Sequence, residues 1–85
     1  MKHYQSTCKV LHSEYLNCSI YGNPKKRLVL EDSDGNVFTA TTGTDHSCGY
    51  LSYYKNSVYL FTYHYTSKRG NIIITNAKEI SNEIN

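Results

Sequence analysis

Turn signals at Gly22-Asn23-Pro24, Asp32-Ser33-Asp34-Gly35-Asn36, Gly43 and Lys68-Arg69-Gly70 cut this chain into short apolar runs, and that punctuation limits the fold more than any other feature. Pro24 has no amide hydrogen to donate, and Asp34-Gly35 offers the positive φ angles that a tight hairpin needs. Between the breaks the residues alternate. Leu16, Cys18 and Ile20 interleave with Tyr15, Asn17, Ser19 and Tyr21, and this period of two predicts a strand over residues 15–21. Residues 28–31 and Val37–Thr42 flank the Asp-Gly turn as the clearest hairpin of the chain. Val58–Tyr65 is a long strand with Tyr59, Phe61, Tyr63 and Tyr65 on one face and Val58, Leu60, Thr62 and His64 on the other, and residues 66–71 turn it back into the β-branched run 72–75. Thr44 or Asp45 caps a turn of helix before the fourth strand. Residues 78–85 read as a short polar helix or a frayed end, and the first dozen residues fit helix or strand, with Val10-Leu11 prolonging strand one.

Composition agrees with an all-β reading. Nine Tyr, no Trp and a single Pro, with 39% hydrophobic and 19% charged residues, describe a folding chain of strand and turn type. Eighty-five residues make one domain over 1–85, with a core over about 11–80. Residues 1–7 contain no apolar leader core, and no window approaches the ~18 apolar residues of a membrane helix. Cys8, Cys18 and Cys48 are an odd count, which predicts free thiols and a reducing, cytoplasmic setting.

Three strands, a short helical connector and two further strands resemble the OB-fold, a five-stranded Greek-key barrel, over roughly residues 11–80. The likeness is one of element order and turn placement, and a small barrel of the SH3 type fits the run lengths almost as well. The OB resemblance implies a ligand face on strands two and three, flanked by loops at residues 23–27 and 66–71, and single-stranded nucleic acid as ligand. Five of the nine basic residues, Lys25, Lys26, Arg27, Lys68 and Arg69, fall in those loops, and Glu31, Asp32 and Asp34 gather at the opposite turn. Although the net charge is only +2, the expected polarity supplies the local positive density that phosphates require. Tyr21, Phe38, Tyr63 and Tyr65 are the candidate stacking residues for single-stranded DNA or RNA. Against this, Lys and Arg are ordinary turn residues that keep hairpins soluble, and alternate Tyr commonly packs half-buried in sheets.

Other chemistries find little footing. Cys8, His12, Cys18, His46 and Cys48 are metal-capable but lack zinc-site spacing, so no metal or cofactor is expected. No carboxylate pair, glycine-rich phosphate loop or serine elbow is present, which predicts a non-enzymatic protein. The alternative is a protein-interaction module that docks through Tyr50, Tyr53, Tyr54, Tyr59 and Tyr63 or through a strand edge, and self-pairing of edges would make a homodimer.

Overall fold

The computed structural model describes residues 2–18, 22–43, 47–66 and 70–81. Five strands, β1 (Tyr4–Cys18), β2 (Pro24–Asp32), β3 (Val37–Thr42), β4 (Val58–Tyr65) and β5 (Ile72–Ser81), close into a barrel in the ring order β1-β2-β3-β5-β4. The protein is therefore a small all-β barrel, and its ring order is compatible with the OB-like topology. The helix expected between the third and fourth strands is a single 3-10 turn, Ser47–Tyr50. No helix among the described residues is long and apolar enough to cross a membrane.

The first strand differs most from the sequence reading. Of the two readings open for the first dozen residues the structure shows strand: β1 starts at Tyr4, well before the run at Tyr15, and Ser19 to Tyr21 lie outside the described residues. Its ladder with β2 slips between Val10 and His12 and again between Tyr15 and Asn17, leaving Leu11 and Leu16 as extra residues. Each bulge resets which parity faces inward, so no single alternation runs through the strand. Cys8 and Val10 are core, whereas Leu16 is only half-buried and Cys18 is exposed. The bulges also add the coiling that lets one strand pair with β4 over its first residues and with β2 from Cys8 onwards.

The expected hairpin between β2 and β3 is present, with Arg27 opposite Thr41 and Glu31 opposite Val37. The Asp32 carboxylate accepts the backbone N–H groups of Asp34 and Asn36, each at 2.9 Å, and Gly35 adopts φ of +85°. Those bonds, led by that from Asn36, hold the Asp32 pKa below its ordinary value. Strand β4 has the expected bounds and turns back into β5 through a pair of Thr66 and Asn71 bonds. Of the polar segment that reads as a helix or frayed end, residues 78–81 are instead the end of β5, paired with β4 as far as Ser81 opposite Val58, and residues 82–85 lie outside the described residues. A partner strand overrides weak local preference there. Closure comes from β3 and β5, which run parallel over Ala40–Ile72, Thr41–Ile73 and Thr42–Ile74.

Every strand contributes to one core: Cys8, Val10, Leu28, Leu30, Ala40, Tyr59, Phe61 and Ile74, closed at one end by Cys48 and Tyr53 of the β3–β4 connector. The sequence left the inner face of β4 open; it is the Tyr59 and Phe61 face. The phenol of Tyr53 donates to the Cys48 carbonyl at 2.6 Å, so its polar end is satisfied inside the barrel. Each large apolar side chain buried here stabilises the fold by about 1.5–3 kcal/mol.

Candidate nucleic-acid interface

Lys25, Lys26 and Arg27 lie within β2 and not in the preceding loop, because Pro24 opens the strand where it was expected to end the one before. Pro24 is tolerated at that first strand position, where it pairs with Cys18 at the end of the β1–β2 ladder. The strand's period of two then divides the basic triplet between two surfaces. Lys25 and Arg27 face outward with Thr39 and Thr41 of β3, and together with Asn71, Ile72 and Ile73 at the start of β5 they line a groove of about 360 Å³. Lys26 points the other way. Its ammonium donates to the Leu51 carbonyl and stands 5.8 Å over the Tyr53 ring, and its amide donates to the buried Thr42 hydroxyl at 2.9 Å. Lys26 thereby pins the connector to β2.

The charge gradient expected across the barrel runs along β2, from the basic triplet at its start to Glu31 and Asp32 at its end. Within the groove it is moderated by Glu14 of β1, whose carboxylate sits 3.5 Å from the Arg27 guanidinium. Both side chains are about half exposed, at 50% and 49%, so solvent screens the pair and it holds Arg27 only loosely.

The other candidate residues are dispersed. Phe38 shares the inward parity of Ala40 and Thr42 and packs against the core. Tyr63 also packs against the core, and its hydroxyl is pushed above the ordinary tyrosine range by burial and by neighbouring Tyr65. Tyr65 is 46% exposed, but Tyr4, Tyr63 and Tyr65 spend much of their ring surface on one another, with centroids 5.4 to 5.9 Å apart. These rings form a cluster where β1 begins and β4 ends, with Tyr65 opposite Ile72 of β5, and none of the three lines the groove. Tyr21, Lys68 and Arg69 lie outside the described residues.

Thr39, Thr41, Asn71, Ile72 and Ile73 were not singled out from the sequence. The signal for the threonines was present in the alternation of Val37–Thr42, which sets Thr39 and Thr41 opposite in parity to Phe38. Of the tyrosines expected to form a docking surface, Tyr53 and Tyr59 are buried, while Tyr50 and Tyr54 are exposed. The described cysteines are all free. Cys8 and Cys48 are buried, and burial raises both thiol pKa values. No group of three or more metal-capable side chains comes together among the described residues.

No family model matches this chain. A search of curated proteins also finds no match.

Proposed function

We propose that this protein is an OB-like barrel that binds single-stranded DNA or RNA without catalysis, through the groove on the outer face of β2 and β3. One observation carries the reading: Lys25 and Arg27 converge with the hydroxyls of Thr39 and Thr41 and the Asn71 side of the β4–β5 turn in a single polar groove. Two cations beside hydroxyl and amide groups suit a phosphodiester backbone, to which such side chains bind without regard to base. Ile72 and Ile73 give the groove an apolar side against which a sugar or base edge can lie. Free thiols on a barrel of this kind suit a reducing compartment, and we place its action in the cytoplasm.

The test is a titration with fluorescent mixed-sequence DNA and RNA single strands across a range of salt. With two phosphates neutralised, log affinity should fall against log salt with a slope of about −1.4. Lys25→Glu combined with Arg27→Glu should remove that slope. Binding that is insensitive both to salt and to this double substitution refutes the phosphate reading.

A second reading has one observation in its favour. Tyr50, Leu51 and Tyr54 are exposed within one short connector, as a protein-docking patch would be. A partner protein held there, or a second copy in a homodimer, should bind independently of salt and be released by Tyr54→Ala.

A further inference from the structure

The groove supplies charge and hydrogen bonds, but no aromatic ring lines it among the described residues. Single-strand sites ordinarily combine a basic track with rings on which bases stack. We propose that Tyr50 is the base-stacking platform of this site, reached by a strand that leaves the groove past the start of β2. The inference rests on the single-strand reading of the groove and adds a residue that lies on neither β2 nor β3.

Three contacts fix Tyr50 in place. Its hydroxyl donates to the Gly22 carbonyl at 3.1 Å. Gly49, the preceding residue, is pressed against the Pro24 carbonyl. Leu51, the following residue, donates its N–H to the Cys48 carbonyl at 3.3 Å and accepts from Lys26. Gly22 is three residues before Lys25, at most about 11 Å along an extended chain, so the tether holds the phenol at the same end of β2 as the first basic residue of the groove, on the connector that Lys26 anchors. Despite these restraints Tyr50 is 61% exposed. A ring held in one orientation with its surface open binds a base with little further loss of freedom. The connector from Ser47 to Ser57 carries no carboxylate to repel a phosphate.

The other exposed tyrosines are less suited. Tyr4 and Tyr65 pack into their own cluster with Tyr63, and Tyr15 is engaged by Cys18 at 3.3 Å. Tyr54 lies in the same connector, but among the described residues no hydrogen bond fixes its ring as the bond to the Gly22 carbonyl fixes that of Tyr50.

The experiment compares the full chain with Tyr50→Ala, Tyr50→Phe and Tyr54→Ala, using a short single-stranded DNA and the same strand with abasic sites. Circular dichroism checks that each variant is folded. Tyr50→Ala should weaken binding of the intact strand by at least about 5-fold while leaving the salt slope unchanged, since stacking releases no counterions. Tyr50→Phe, which keeps the ring, and Tyr54→Ala should stay close to the wild type. On the abasic strand, wild type and Tyr50→Ala should converge, because the base that the ring holds is gone. Wild-type affinity in Tyr50→Ala, or an equal loss on both strands, overturns the stacking role and leaves the groove reading intact. Absence of salt-dependent binding by the wild type overturns both.

Discussion

Gly49 packs directly on the backbone of Pro24: a β-carbon at Gly49 would lie 2.8 Å from the Pro24 carbonyl carbon, closer still to its oxygen, and 3.2 Å from the Thr42 hydroxyl. The obstacle is main chain and cannot swing aside as a side chain would. Gly49→Ala must therefore push the connector away from β2, at a cost of about 1–3 kcal/mol. Denaturant unfolding should show a lower midpoint with little change in slope. If Gly49→Ala is as stable as the wild type, the connector does not sit this close to β2. The same substitution should weaken single-strand binding if Tyr50 acts as proposed, because the ring is carried by the next residue.

Glu14 competes with phosphate for Arg27. Glu14→Gln removes the carboxylate 3.5 Å from the guanidinium and should tighten binding of a single strand by a few-fold at low salt. Stability should change by no more than about 0.5 kcal/mol, since the pair is half exposed. Unchanged or weaker affinity in Glu14→Gln would mean that Arg27 does not meet the ligand.

The three thiols should separate by accessibility. Cys18 is exposed, whereas Cys8 and Cys48 are buried and held in their protonated form by the loss of solvent. A chromogenic disulfide reagent should titrate one thiol per native chain promptly and all three in denaturant. Prompt reaction of two or more thiols in the native state would contradict the closed core.

Alkaline pH should unfold the barrel. Burial raises the pKa values of Cys8 and Cys48 above the ordinary 9.0 and that of Tyr53 above the ordinary 10.0. The unfolded chain therefore loses these protons first. Stability should be intact below about pH 9 and decline as pH climbs towards the folded-state values. Tyr53→Phe removes one of these titrations and should flatten the decline. It should also cost about 1 kcal/mol near neutrality through loss of the bond to the Cys48 carbonyl. An unfolding midpoint constant from about pH 8 to pH 11 would contradict this account.

What could be read in advance followed short-range chemistry. The turn at Asp32-Ser33-Asp34-Gly35-Asn36 was legible because Asp32 bonds its own neighbours and Gly35 takes a positive φ without strain. Strand β4 was legible because aromatic residues recur at every second position from Tyr59 to Tyr65, a sequence signal that the register shifts in its pairing with β5 do not disturb. The first strand was obscured by the bulges at Leu11 and Leu16, which break the periodicity on which such a reading depends. The end of β5 was hidden because Asn76, Lys78 and Glu79 have little strand preference, and pairing with β4 holds them extended.

By itself, then, the sequence determined the all-β class, the positions of its hairpin turns and the concentration of basic residues around Lys25, all consequences of local backbone preference and of side-chain period. Only the tertiary structure decided that Lys25 and Arg27 share a groove with Asn71 while Lys26 holds the connector, that Phe38 faces the core, and that Tyr50 is fixed beside Gly22. The physical reason is that barrel closure and strand register are cooperative, long-range choices. A single bulge or a residue's shift in where a strand begins reverses which side chains meet, and no local pattern records that shift.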